Sequence, residues 1–485
     1  MDILLLSQDE THPFYAGVNA YFSAPVLEAV GPRELLTAPP LGITLLATSL
    51  NSRGFKAVPV HNFFTMEESR RRLVAGLEAR PFAVCISTTH TFTEKLMGEI
   101  TGLVRRVSPD SALIVGGPGA EWNEALRPPD AITVFGPGED ALPRLLAALQ
   151  AGGGLAGVPN LSYLKDGVRL ETAREHSSPI GSVPEPDWGL YPSAPSKVPV
   201  QGSRGCARAC GFCAYAGPAE ARPPAAVLSE VLNNRRKWGI DFFRFTDSDF
   251  AADRDRALEL CRGLERECGF SWTCFARADS LLDAGLCAAM RRAGCLWVFL
   301  GVESGSDAIL KAMNKGCGTA LMREAVRTIK AAGIGTHGNF VVGYPGETAA
   351  TVAETLDFAL TAGLDTVYYS PFQLRSRAIP AYRSRAAYGL EGHAGGWRHA
   401  TMTSAETLQH TLELMRTTWL SPGAPLLTSE ALFSLFSKGE GEAFRANVSG
   451  FFAAIRDWHR AKYAEDRPAA ELALGAMRAY LNDKN

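Results

Sequence analysis

From residue 1 to about residue 150, short apolar runs alternate with amphipathic stretches. The runs are ILLLS (3–7), AVPVH (57–61), FAVCIST (82–88), ALIVGG (112–117) and ITVFG (131–135). They are rich in aliphatic and β-branched residues and lack a polar face, the pattern of parallel strands covered on both sides. Between them, segments such as LGITLLATSLNSRG (41–54) have helical spacing and end on Gly54, a residue suited to closing a helix. Such βα units predict a Rossmann-like, doubly wound α/β domain over residues 1–150, with ligands expected beyond the strand carboxyl ends.

Residues 151–196 change to glycine- and proline-rich text around one hairpin pattern, NLSYLKDGVRLE (160–171), and read as a linker with a hairpin. From residue 197 the alternation resumes in KVPVQGS (197–203), FFRFTD (242–247), SWTCFA (271–276), LWVFLGV (296–302), GTHGNFVVG (335–343) and TVYYSPF (366–372). This predicts a (β/α)6 partial barrel over 197–377, with its chemistry at the strand carboxyl ends. Beyond Ala378 the segments 404–420, 449–464 and 468–481 have helical spacing, which predicts a small helical C-terminal domain over 378–485.

Composition narrows the class. The chain has 485 residues, 46% hydrophobic and 21% charged, with a net charge of −2, enough apolar matter for large cores and no basic field for nucleic acid. The start, MDILLLSQDE, lacks the basic residues and apolar length of a secretory signal. No apolar run reaches the length of a membrane span. The expected compartment is the cytoplasm, so the ten cysteines are not a disulfide framework.

Three of those cysteines stand together in GCARACGFCAYAG (205–217). Cys206, Cys210 and Cys213 have C-x3-C-x2-C spacing, and one loop can aim their thiolates at one point. A protein-closed tetrahedral zinc site takes four ligands, whereas three thiolates suit a [4Fe–4S] cluster with one iron left free. A structural zinc or plain buried cysteines are the alternatives. Cys261, Cys268, Cys274, Cys287 and Cys295 fall in predicted helices and strands and read as core.

The cysteine motif, with Phe212 before Cys213, resembles that of the radical S-adenosylmethionine (SAM) enzymes. In that family the free iron holds the amino and carboxylate groups of SAM, and one electron from the cluster cleaves SAM to a 5′-deoxyadenosyl radical. The resemblance implies SAM contacts from Phe212 and Tyr215 beside the loop, from Asp247 and Asp249 in FTDSDF (245–250), and from Arg277 in FARAD. It extends them to Glu303 and Ser304 in GVESGSD (301–307) and to Asn339 in NFVVGYPGET (339–348). Each stretch is also an ordinary helix start or turn.

A Rossmann-like domain before this barrel resembles the cobalamin-binding radical SAM proteins. APPLGITLLATSL (38–50), VCISTTHTF (84–92), IVGGPGAEW (114–122) and VFGPGEDALPRLL (134–146) carry the likeness, with Pro137 where the family commonly has glutamate. Cobalamin contacts are then expected from Ser87, Thr88, Thr89 and His90, from Gly116, Gly117 and Gly119, and from Gly136, Gly138 and Glu139. A nicotinamide or flavin is the rival ligand, but G-x-G-x-x-G is missing from the first βα turn. The Asp-x-His-x-x-Gly motif of mutase-type corrinoid proteins is also missing, so cobalt is expected to lack that histidine.

The function this implies is a cobalamin-dependent radical SAM methyltransferase. It would methylate an unactivated carbon, or phosphorus, of a small-molecule or peptide substrate and take electrons from a donor such as flavodoxin or ferredoxin. A non-methylating cyclase or ring-rearranging enzyme of the same family is the alternative. A corrinoid sensor or carrier is the alternative of another class, and it would not need the three-cysteine loop. A methylthiotransferase would need further cysteines in the first domain.

Overall fold

The computed structural model describes residues 2–9, 39–91, 93–175, 179–193, 195, 197–215, 217–267, 269–374, 376–393, 396–421 and 441–482. Cys268 and the first βα turn after residue 9 lie outside them. The chain divides into two compact units, the first carrying residues 39–195 with the opening strand and the second the residues from 197 onward.

In the first unit, β1 (Asp2–Ser7), β2 (Lys56–His61), β3 (Ala83–Ser87), β4 (Ala112–Gly116) and β5 (Ile132–Val134) are parallel in the order β2-β1-β3-β4-β5. The unbroken apolar runs follow from burial on both faces. Ile3 and Leu5 of β1 join the core under the helices Leu41–Ser52 and Gly138–Gln150. Leu4 and Leu6 join the opposite core with the helices Glu67–Glu78 and Glu94–Val107. Gly54 takes φ 85° just after its helix.

The hairpin expected inside a linker is instead part of this sheet. β6 (Leu161–Lys165) pairs antiparallel with β5, and β7 (Val168–Glu171) pairs with β6, giving seven strands. Asp166 and Gly167, both at positive φ, make the tight turn. Leu161 and Tyr163 are buried in the sheet's core, which removes the freedom a linker would have.

In the second unit, β8 (Lys197–Val200), β11 (Phe242–Phe245), β12 (Ser271–Ala276), β13 (Cys295–Glu303), β14 (Gly335–Val342) and β15 (Thr366–Pro371) form a parallel sheet. Its order is β15-β14-β13-β12-β11-β8 and its two edge strands do not pair, as a partial barrel requires. Phe245, Phe250 and Trp272 pack together. On the alternate positions the Arg244 guanidinium stacks over Phe275 and Phe299, and Phe299 meets His337.

Two departures from the sequence pattern matter. β8 stops at Val200, and residues 203–206 start an antiparallel ribbon of β9 (Ser203–Cys206) and β10 (Gly217–Ala221) that brackets the cysteine loop. The region after 378 is not purely helical. It opens with a small antiparallel sheet of β16 (Glu391–His393), β17 (Gly396–His399) and β18 (Met402–Thr403). The helix Ser404–Leu420, started by a Thr403/Glu406 capping box, then packs on β15, with Tyr369 Oη 3.0 Å from Thr418 Oγ1. That helix belongs to the barrel wall, not to a separate domain. The helices Gly441–Tyr463 and Arg467–Asn482 follow.

Candidate functional site

The cysteine loop is gripped by its neighbours at nearly every residue. Cys206 ends β9 opposite Gly217. The Gly211 amide donates to the Met313 carbonyl at 2.7 Å, and Asn314 Nδ2 donates to the Ala209 carbonyl at 3.0 Å. The Cys213 amide closes a turn onto the Cys210 carbonyl at 3.1 Å, and the Tyr215 amide donates to Cys213 Sγ at 3.3 Å. Cys210 is buried, while Cys206 and Cys213 are half-buried.

Burial pushes the Cys213 thiol up; the Tyr215 amide opposes this, and the nearby Cys210, Glu303 and Cys206 reinforce it. Three thiols and a carboxylate have therefore been gathered where they would repel as anions. Iron bound to those thiols would relieve that repulsion. Cys261, Cys274, Cys287 and Cys295 are fully buried, and burial pushes the Cys287 thiol up to about 12, as inert core residues.

The residues expected around SAM are mostly engaged with the protein itself. Asp247 accepts from the Gly202 amide at 3.0 Å and lies 3.8 Å from Arg256, leaving buried Oδ1 without a hydrogen bond. Asp249 accepts from the Arg277 amide at 3.2 Å and Ser280 Oγ at 2.7 Å. Burial pushes both acids up. The Arg277 side chain forks onto Asp279 at 2.8 and 3.0 Å, donates to the Lys315 carbonyl, and points Nη1 at Cys210 Sγ, 3.7 Å away.

Glu303 closes β13 at φ 70° and pairs with Lys315 Nζ at 3.0 Å. Ser304 Oγ is buried against Thr355 Oγ1 at 3.2 Å and accepts from the Ser306 amide at 3.1 Å, a turn-forming role. Asn339 is half-buried, level with Gly301 and Tyr368 on the neighbouring strands. Phe212 packs against the cluster of Tyr344, Phe372 and Trp397, while Tyr215 is 62% exposed. In the YPGET stretch, Tyr344 sits under the cysteine loop. Lys315, Asp279 and Tyr368 were not picked out from the sequence; Lys315 stands in an Asn-Lys-Gly turn that reads as surface.

In the first unit, the strand ends expected to meet cobalamin are built around Thr88. Its hydroxyl donates to the Gly116 carbonyl and accepts from the Ala120 amide, both at 2.8 Å. Gly117, at φ 95°, and Gly119 let β4 approach Thr88 so closely that a Cβ on Gly119 would stand 2.6 Å from its carbonyl. Thr88 is thus a buried tie, whereas Thr89 and His90 are exposed and Ser87 Oγ lies 3.1 Å from Thr89 Oγ1. Gly136 is exposed at φ 67° with open space at its Cβ position, and its amide donates to Glu121 at 3.3 Å. Gly138 and Glu139 form the first turn of the helix Gly138–Gln150.

Residues 200–359 match the radical SAM superfamily and residues 35–146 match the B12 binding domain. The chain is a cobalamin-binding radical SAM enzyme. It is 26% identical to an uncharacterised methyltransferase of Pyrococcus horikoshii, over 69% of this chain and 76% of that one. To an anaerobic magnesium-protoporphyrin IX monomethyl ester cyclase of Rubrivivax gelatinosus it is 28% identical, over 53% of this chain and 50% of the relative. Its fold matches that of the radical SAM methyltransferase TsrM of Kitasatospora setae, solved with cobalamin and a [4Fe–4S] cluster. That match has a TM-score of 0.67 and 17% identity over 99% of both chains.

The groups present fit the cofactors of this radical SAM enzyme: three thiols gathered on one loop, and open glycine backbone at Gly136. Among the described residues, no helix is long and apolar enough to cross a membrane.

Proposed function

We propose that this enzyme transfers a methyl group from SAM to an unactivated carbon, or to phosphorus, of a small-molecule or peptide substrate. The observation that carries this reading is the joining of a B12 binding domain to a radical SAM domain in one chain. When bound, the cluster supplies the electron that cleaves SAM and cobalamin carries the methyl group. Cys206, Cys210 and Cys213 hold the cluster, with Arg277 directed at Cys210 and Asp249 bracing the Arg277 backbone. Glu303 and Asn339 face SAM at the barrel mouth, and Tyr368 beside them faces the substrate. The backbone from Gly136 to Glu139 and the hydroxyls of Ser87 and Thr89 contact cobalamin. A flavodoxin or ferredoxin supplies electrons, and the free cysteines suit the reducing cytoplasm.

SAM with a labelled methyl group should pass the label to the substrate, and S-adenosylhomocysteine and 5′-deoxyadenosine should form together in equal amounts. The likeness to the Rubrivivax cyclase supports a second reading, cyclisation without methylation. 5′-Deoxyadenosine without matching S-adenosylhomocysteine, and an unlabelled product, would establish it.

A further inference from the structure

Lys315 stands in the turn between the helices Asp307–Ala312 and Thr319–Ala331, with Asn314 and Gly316 on either side at φ 53° and 80°. A turn lysine ordinarily extends into water, yet this side chain is only 4% exposed. Its ammonium is 3.0 Å from Glu303 Oε1 and lies over Gly301, where an added Cβ would stand 2.9 Å from Nζ. Its carbonyl accepts from Arg277, whose other nitrogen points at Cys210. The residues just before it on the same turn hold the cysteine loop through Gly211 and Ala209.

One residue thus holds the carboxylate that ends β13 through its ammonium and reaches Cys210 through its carbonyl, by way of Arg277. Burying an ammonium is costly, and an apolar side chain of similar volume would fill the space as well. Packing alone therefore does not call for a charge here. Glu303, at a backbone angle that non-glycine residues seldom take, keeps one orientation only because its surroundings fix it.

We infer that Lys315 is a positioning residue for the radical chemistry. It holds the Glu303 carboxylate toward SAM and offsets that negative charge beside the cluster. The inference rests on reading the cysteine loop as the iron–sulfur site.

The test uses reconstituted full-length protein and the variants Lys315→Met, Glu303→Gln and the double variant. It measures iron content, the midpoint potential of the cluster, and the change in the reduced cluster's electron paramagnetic resonance signal as SAM is added. Loss of the ammonium should make the potential more negative and loss of the carboxylate should make it more positive. Lys315→Met should need about tenfold more SAM, or beyond, for the same spectral change. Removing one member of a buried pair can unfold a protein, and if Lys315→Met holds no iron, the step from Glu303→Gln to the double variant still reads the ammonium's effect, a more negative potential, while the SAM titration should not change across that step because the carboxylate is already gone.

Shifts of the same sign in Lys315→Met and Glu303→Gln, or no shift, would overturn the inference. An unchanged SAM titration in Lys315→Met would overturn it too. Wild-type protein that holds no iron, or whose signal ignores SAM, would instead remove the underlying reading.

Discussion

The Tyr344 hydroxyl occupies the place a side chain on residue 211 would need. A Cβ built on Gly211 collides with it, and the Gly211 amide is tied to the Met313 carbonyl at 2.7 Å. The residue between Cys210 and Phe212 is glycine because the loop presses directly on the barrel's Tyr-Pro-Gly-Glu turn. Gly211→Ala should therefore lose about 1–3 kcal/mol of stability and bind less iron on reconstitution. Adding Tyr344→Phe removes the colliding oxygen and should recover part of both losses in iron analysis and thermal unfolding.

Replacing Cys206, Cys210 and Cys213 together by alanine should abolish iron binding, because it removes every thiol of the loop and leaves only the half-buried Cys317 nearby, one ligand where a cluster needs at least three. The core thiols at 261, 274, 287 and 295 are fully buried. Colorimetric iron and sulfide analysis should fall from about four irons per chain to background. Circular dichroism should stay that of the wild type.

Glu347 is buried, accepts from the Gly343 and Tyr344 amides, and is pushed by burial from 4.5 up to about 7. A carboxyl whose folded pKa is raised contributes its full stability below pH 4.5, and that contribution is lost as pH rises through 7. The loss is at most about 3 kcal/mol across this window. Glu347→Gln keeps an acceptor for the two amides and does not ionise, so its denaturant midpoint should vary less with pH between 4.5 and 7 than that of the wild type.

Thr88→Val removes the hydroxyl between the Gly116 carbonyl and the Ala120 amide and leaves that buried amide unpaired. The expected cost is about 1–3 kcal/mol in the first unit, with weaker cobalamin binding in equilibrium dialysis. In the wild type, cob(II)alamin should show no superhyperfine splitting from an axial nitrogen. A splitting lost in His90→Ala would identify His90 as a ligand after all.

The parallel strands of both units were legible because burial on two faces writes itself as unbroken apolar runs; Ile3 through Leu6 are an example. The cysteine loop was legible because thiol spacing is a local property. β9 and β10 were not, since Ser-Arg-Gly-Cys and Gly-Pro-Ala-Glu-Ala have no strand pattern and are held by pairing with each other. The sheet of β16 to β18 was missed for a similar reason: its strands are two to four residues long and depend on contacts such as Trp397 Nε1 to the Phe372 carbonyl, 3.1 Å away. Lys315 could not be read at all, because its role depends on partners 12 and 38 residues earlier.

The helix Ser404–Leu420 bears on how this protein can be divided. A Cβ on Gly343 would collide with Thr407, Tyr369 bonds Thr418, and the Trp419 ring is 1% exposed. A fragment ending near residue 378, where the sequence pattern of the barrel stops, would leave the last two barrel strands with a bare apolar flank. Tyr369 and Phe340 would then meet water, and the fragment would be expected to aggregate. Chimeras that exchange the C-terminal segment between relatives should join beyond residue 420, leaving this helix with the barrel it covers.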